Sequence, residues 1–255
     1  MTASPVMSKA IIDVFVECQS AIRRGELIHR QSRRDKEFHF QDWFGGRLHG
    51  LGIQFDMAGR NAYPDFRLVH APLGFELKGL QFPGRVATYD SNSQIPCGYH
   101  NGRDIIYVFG RYPSEPLHED EYPAYDLILC HGSFLNADVE YVHQNKSVRG
   151  FGSYGDIMIR DRKMYVTPTP FALTTHTEGQ ITLILPAAIP VDERVVSRGN
   201  LVRTEASTLM VGYQFNLLNN ELSTSVVPNP HSGRQHLFAS YRVAQEPGPE
   251  VSMVR

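Results

Sequence analysis

Apolar residues near the start of the chain recur at helical spacing. Over residues 8–25 they fall three and four positions apart, which predicts a helix with Ser8 as its N-cap. A second helix is predicted over about residues 35–48, where Phe44 and Leu48 share one face. The first part of the chain is therefore expected to supply two helices that bury an apolar stripe.

Short apolar runs then replace the helical spacing. Residues 63–69 and 75–80 are predicted to form two strands, and the segment 70–74 between them carries Pro and Gly and predicts a turn. The pair is therefore expected to close as a hairpin. Further strands are predicted at 104–109, 125–130, 179–189 and 208–215.

Polar and Pro-containing segments between these runs predict loops. The stretch from Leu80 to Arg103 is expected to be loop with room for a short helix, and residues 167–170 are expected to be loop. The acidic stretch from Glu115 to Asp126 is expected to face solvent, and the tail after Gln245 is expected to be disordered.

Composition places the chain among globular proteins. It has 255 residues, of which 42% are hydrophobic and 20% charged, and we expect a single domain over 1–245 with a flexible tail at 246–255. No apolar run approaches the roughly 18 residues of a membrane span, and no secretory signal is recognised. Three widely spaced cysteines indicate reduced thiols in a cytoplasmic protein.

The net charge of −2 argues against a uniformly basic surface that coats nucleic acid. It leaves room for a local basic cleft beside acidic catalytic groups. Basic residues concentrate from Arg23 to Lys36 and from Lys146 to Lys163, and a solvated face is the alternative explanation for each run.

Two carboxylates and one lysine interrupt the predicted hairpin. Glu76 and Lys78 are two apart on one strand, so they point to the same face about 7 Å apart, and Asp65 lies on the paired strand. Charges in an apolar strand pair are costly unless they are paired or bind a metal. Asp65 and Glu76 could hold Mg²⁺ together with waters and phosphate oxygens, and Lys78 could stabilise charge or orient a water.

This arrangement resembles the PD-(D/E)xK nuclease superfamily, through Pro64-Asp65 and Glu76-Leu77-Lys78. The resemblance covers about residues 35–130 and implies an α/β fold with a mixed central sheet flanked by helices, extended by C-terminal strands. It also implies a catalytic Glu37 on an early helix, although Glu37 could equally be a solvated residue of the first helical turn.

Chain size and the absence of helicase or ATPase motifs make a type II restriction endonuclease the most similar member of that superfamily. Such an enzyme would use one or two Mg²⁺ ions to cleave double-stranded DNA in the cytoplasm of a bacterial or archaeal cell. A homodimer suits a palindromic target, and a monomer remains open. The C-terminal half is then expected to extend the DNA-binding surface. Candidate DNA-binding residues are Gln81, Arg85, Asn92, Ser93, Gln94, Lys146, Arg149 and Arg160.

Blander interpretations stand beside this one. Asp65, Glu76 and Lys78 could form a cross-strand ion pair on a surface hairpin. His100, His131 and His143 show no metal-ligand spacing and are expected to be loop or packing residues. A repair or recombination nuclease with the same core, and a DNA-binding protein without catalysis, are the alternative functions.

Overall fold

The computed structural model describes residues 5–30, 38–57, 63–84, 86–92, 95–118, 120–137, 154, 158–161, 164–216, 218–219 and 221–254. Its helices are α1 (Pro5–Arg23), α2 (Phe38–Gly50), α3 (Pro170–Leu173) and a 3-10 turn (Gly132–Phe134). Both predicted long helices are confirmed, but Ser8 is buried inside α1 and is not its N-cap.

Sixteen strands follow one another along the described chain. They are β1 (Ile28–His29), β2 (Phe55–Met57), β3 (Phe66–Leu68), β4 (Leu73–Phe82), β5 (Thr88–Asn92), β6 (Tyr99–His100), β7 (Arg103–Pro113), β8 (Glu121–Tyr122), β9 (Asp126–His131), β10 (Met158–Asp161), β11 (Met164–Pro168), β12 (Ile181–Pro186), β13 (Val195–Thr204), β14 (Thr208–Asn216), β15 (Glu221–Pro228) and β16 (Gln235–Val243).

A nine-stranded mixed sheet organises the molecule. Its order is β13-β16-β12-β9-β7-β4-β3-β2, with β6 paired to β7. The β4–β7 and β9–β12 pairs are parallel, and the other pairs are antiparallel. The mixed α/β architecture is therefore confirmed. C-terminal strands extend the sheet beyond the predicted hairpin.

The two faces of this sheet have different covers. Alternate residues such as Phe75, Leu77 and Val108 pack with the apolar stripes of α1 and α2. On the opposite face, Tyr107 and Phe109 pack in a second core that includes Phe134, Tyr89 and Val251. Within the described part of the chain both long helices thus lie on one face of the sheet.

Two glycines set the height of α2 above the sheet. Gly79 and Gly110 are neighbours on β4 and β7, and Phe40 of α2 lies over both. A Cβ atom at Gly110 would overlap the Phe40 ring. The absence of side chains at this point lets the first turn of α2 lie close to the middle of β4.

Two loop predictions and one prediction of solvent exposure are wrong. The 81–102 segment contains β5 and β6, and residues 167–170 end β11 and begin α3, with Thr169 as the N-cap. Asp126, predicted to face solvent, is fully buried and paired with Arg111 of β7, because a desolvated carboxylate needs such a partner.

The segment after Gln245 also corrects an expectation, since it packs against the domain where a flexible tail was predicted. Val251 is 2% exposed, and its N–H donates to the Arg198 carbonyl over 2.7 Å. Farther on, the Val254 N–H donates to the Leu173 carbonyl over 2.9 Å. Burial of Val251 against the second core accounts for the position of this segment.

Candidate active site

The predicted hairpin is confirmed, and its register places Asp65 across from Glu76. β3 and β4 pair Phe66 with Phe75 and Arg67 with Gly74. One step beyond this ladder, Asp65 is opposite Glu76, and Asp65 Oδ2 accepts a hydrogen bond of 2.8 Å from the Leu77 N–H. Asp65, one residue before β3, and Glu76 of β4 thus occupy facing positions where β3 begins.

Lys78 and Glu76 form an ion pair on one face of β4. The Lys78 Nζ donates to Glu76 Oε1 over 2.7 Å, and their side chains are only 17% and 12% exposed. The described residues provide no hydrogen bond to the other oxygen, Glu76 Oε2. A mostly buried carboxylate, with one oxygen that accepts no hydrogen bond from the described residues, is suited to bind a cation.

Pro64 is held directly before Asp65 by a close contact. A Cβ atom at Gly74 would lie 2.5 Å from the Pro64 Cγ, so only glycine leaves room for this ring. The Tyr63–Pro64 peptide bond is cis. The Pro64 ring against Gly74 and the Asp65 side-chain bond to Leu77 both hold the start of β3 against β4.

Buried tyrosines lie beside Glu76. Tyr107 is its register partner on β7, and the Tyr107 and Tyr63 hydroxyls are 2.9 Å apart. Burial raises the pKa of both phenols well above the usual 10.0, and the charge of Glu76 adds to the effect. Both phenols therefore stay neutral. They cover the Glu76 carboxylate on the side of β7 and lower the polarity around it.

A cavity of about 430 Å³ lies along β4 beyond the end of β3. Lys78 and Gln81 line it from β4, and Asp90 lines it from β5. Arg30 and His39 line it from the segments before and within α2. Among the described residues, β4 has no paired strand on the β3 side at this point. The cavity therefore reaches from Lys78 around this edge of the sheet to the face that carries α2.

Two of the cavity residues carry no sequence signal. A lone His and a lone Asp have no motif spacing, so sequence reasoning gave neither His39 nor Asp90 a specific role. His39 is 7% exposed, and neither of its ring nitrogens has a hydrogen-bond partner among the described residues. Its unpartnered state on a cavity wall is visible only in three dimensions.

The histidines expected to be structural behave differently. His131 accepts from Ser133 at the 3-10 turn and lies 3.3 Å from Asp104 Oδ1. His100 lies 3.0 Å from the Asn101 side-chain amide and packs edge-on against Tyr63. His131 thus caps the 3-10 turn and His100 packs against Tyr63, whereas His143 lies outside the described residues.

The remaining predicted site residues divide into two groups. Asn92 and Arg160 lie in β5 and β10, and β11 joins these strands into one small sheet. Arg160 stands at a register shift between β10 and β11. Outside the described residues lie Glu37, Arg85, Ser93, Gln94, Lys146 and Arg149.

The donors present match the needs of a hard divalent cation. Asp65 and Glu76 supply carboxylate oxygens from facing strand positions, and Mg²⁺ commonly takes one or two carboxylates, with waters and substrate phosphate completing its shell. Within the ranges the structure covers, no group of three His, Cys, Asp or Glu side chains could enclose a metal.

No protein-family model matches this chain, and no relative was found among curated proteins. None of the described helices has the length and apolarity needed to cross a membrane.

Proposed function

We propose that the protein is a Mg²⁺-dependent DNA endonuclease. The observation that supports this most directly is the opposition of Asp65 and Glu76 at the end of the hairpin, with Lys78 bonded to Glu76. A surface hairpin with a simple ion pair fits less well, because the Glu76 and Lys78 side chains are largely buried and Lys78 borders a cavity.

Each residue has a distinct task in this proposal. Asp65 and Glu76 would hold Mg²⁺, which supplies charge neutralisation at the scissile phosphate and a more acidic bound water. Lys78 would orient the attacking water or stabilise the charge that develops on the phosphate. Tyr63 and Tyr107 keep the surroundings of Glu76 apolar, so these charges act with little screening.

The finer assignment is a type II restriction endonuclease with a restriction-endonuclease-like core, acting on a specific duplex sequence. Its support is the spacing of Pro64-Asp65 and Glu76-Leu77-Lys78, together with the α/β hairpin that carries them. Two copies would place one site on each DNA strand of a palindrome. A repair or recombination nuclease with the same core is the second candidate, favoured by the cavity beside Lys78.

Plasmid cleavage tests the activity. Purified protein should cut supercoiled, unmodified DNA with Mg²⁺ and should stop cutting with EDTA. Glu76→Gln removes a metal-binding charge with little change in shape and should abolish cutting. Glu193→Gln is the matched control for general loss of a negative charge, because it removes one exposed carboxylate by the same substitution.

Two results would contradict the proposal. One is the absence of metal-dependent cutting across plasmid, phage and branched DNA substrates. The other is wild-type cleavage by Glu76→Gln. Sequenced ends of the digested plasmid separate the two candidates, because defined ends indicate a restriction enzyme and structure-dependent nicks indicate a repair nuclease.

A further inference from the structure

His39 is a buried imidazole at the wall of the cavity beside Lys78. Both ring nitrogens lack a hydrogen-bond partner in the described part of the chain, although the residue is only 7% exposed. Buried polar groups are nearly always satisfied, so an exception calls for an explanation such as a missing ligand. The helix carrying His39 is seated firmly, because Phe40 fills the notch over Gly79 and Gly110.

The other walls combine two cations, the carboxylate of Asp90 and aromatic rings. Arg30 and Lys78 bring positive charge, and Arg30 Nη1 lies 3.3 Å from the Tyr122 hydroxyl. Tyr112 and Tyr122 meet edge to face with ring centroids 6.1 Å apart. This mixture suits a ligand that has an anionic group and a flat, polar-edged ring.

We propose that this cavity binds one unstacked nucleotide of the DNA strand, with His39 hydrogen bonded to the edge of its base. The inference rests on the proposed nuclease function. It adds that the nucleotide next to the cleaved bond is unstacked from its neighbours. Arg30 and Lys78 would contact the phosphate, and the tyrosine rings would contact the base.

The size of the cavity favours a nucleotide over a phosphate alone. Its volume of about 430 Å³ lies in the range of pockets that enclose whole small molecules. Enzymes that work on extruded nucleotides hold the base in such a pocket, by hydrogen bonds to its edge and by aromatic contacts. An imidazole can donate from one nitrogen and accept at the other, which matches the mixed edge of a base.

Nucleotide titrations of the full chain test this without any cleavage. The protein is labelled with ¹³C-histidine and kept in EDTA, and the ring resonances are followed by NMR. The probes are the four deoxynucleoside monophosphates, deoxyribose 5-phosphate and inorganic phosphate. At least one nucleotide should shift the His39 resonance and bind about tenfold more tightly than deoxyribose 5-phosphate, because only the nucleotide reaches the rings and His39.

Two variants on the same helix give a matched comparison. His39→Gln identifies the resonance and should weaken nucleotide binding about tenfold, since the glutamine amide reproduces the imidazole hydrogen bonds poorly. His49→Gln should leave binding unchanged, because His49 is exposed at the other end of α2 against Phe55. If His39→Gln fails to fold, the affinities of wild type for the nucleotides and for deoxyribose 5-phosphate still test the site.

The outcomes separate this inference from the proposed function. Equal binding of phosphate and nucleotides, or no shift at His39 with any probe, overturns the nucleotide site. If plasmid is cut but nucleotides do not bind, the nuclease stands and the cavity inference fails. If nucleotides bind but no DNA is cut, the binding site stands and the nuclease function fails.

Discussion

At the scale of single residues, Asp65 has a structural contact and a proposed catalytic one, and two substitutions separate them. Asp65 Oδ2 accepts from the Leu77 N–H over 2.8 Å. Asp65→Asn keeps an acceptor at this place but removes the charge that would hold Mg²⁺. Asp65→Ala removes both, and a buried N–H left without its partner costs about 1–3 kcal/mol.

We therefore expect Asp65→Asn to lose DNA cleavage while its free energy of unfolding stays within about 1 kcal/mol of wild type. Asp65→Ala should lose both cleavage and stability. Urea denaturation and plasmid cleavage of the two variants measure this. Wild-type cleavage by Asp65→Asn would remove Asp65 from the metal site.

A second prediction for a single residue concerns Lys78, because its Nζ donates a hydrogen bond to Glu76 Oε1. Lys78→Gln releases that oxygen and removes a nearby positive charge, so Mn²⁺ should bind at least as tightly as to wild type. Cleavage should nevertheless fall by about 10²–10³-fold, since charge stabilisation at the phosphate is lost.

Electron paramagnetic resonance of Mn²⁺ and single-turnover cleavage report the two effects of Lys78→Gln separately. Lys9→Gln should change neither, because the Lys9 side chain is 71% exposed and pairs only locally with Asp13. Loss of metal binding along with cleavage in Lys78→Gln would show that Lys78 mainly maintains the shape of β4.

At the scale of elements, the placement of α2 depends on Gly79 and Gly110, which leave a notch in the sheet that Phe40 fills. Gly110→Ala should push the Phe40 ring and destabilise the fold by about 1–3 kcal/mol through overpacking. Gly46→Ala is the matched control within α2, because a Cβ there meets nothing within 4 Å. Gly46→Ala should raise the free energy of unfolding by about 0.5–1 kcal/mol, since alanine favours the helix more than glycine does.

Thermal and urea unfolding of Gly110→Ala and Gly46→Ala check these opposite signs. A Gly110→Ala variant as stable as wild type would mean that Phe40 can leave the notch without cost. The substitution should also weaken nucleotide binding in the cavity, because His39 precedes Phe40 on the same turn.

Local periodicity was enough to predict α1, α2 and the β3–β4 hairpin, because each buries a regular apolar pattern. It did not predict β5 or β15. β15 is mostly exposed, and the polar β5 pairs with β11, more than seventy positions away. β5 is thus fixed by a partner distant in sequence, which no short window contains, whereas β15 pairs with the adjacent β14 but lacks a buried apolar alternation.

The same contrast between local and distant partners explains which residues of the candidate site could be predicted. Asp65, Glu76 and Lys78 could be predicted because one hairpin carries all three. His39 could not, because its place at the cavity depends on how α2 packs over β4 and β7. Burial of Asp126 depends likewise on Arg111 from a neighbouring strand.

At the scale of the whole molecule, an ion cluster ties the first helix to the C-terminal strands. Arg194, just before β13, donates to Asp13 of α1 over 2.6 Å and to Asp192 over 2.7 Å. The hydrogen bond from Arg194 lowers the pKa of Asp192 below its usual 3.8. For Asp13, burial opposes the shift, but bonds from Lys9 and Arg194 outweigh it and lower the pKa.

The sign of the pH dependence follows from these lowered pKa values. A carboxylate whose pKa falls on folding stabilises the native state above its unfolded pKa, here 3.8, and loses this contribution as the pH falls from there through the lower pKa of the folded state. Arg194→Gln should therefore cost up to about 1 kcal/mol at neutral pH, because Arg194 is 37% exposed and solvent screens the pairs. The difference from wild type should vanish in acid once both carboxylates are protonated.

Urea denaturation of Arg194→Gln at neutral pH and again below pH 3.8 measures the difference at both ends of this range. Glu193→Gln is the matched control, since Glu193 is exposed beside the cluster and its substitution should leave stability unchanged at either pH. A penalty for Arg194→Gln that persists in acid would assign the effect to lost packing of the Arg194 side chain. A penalty confined to neutral pH, within a single unfolding transition, would mean that α1 and the C-terminal strands unfold together.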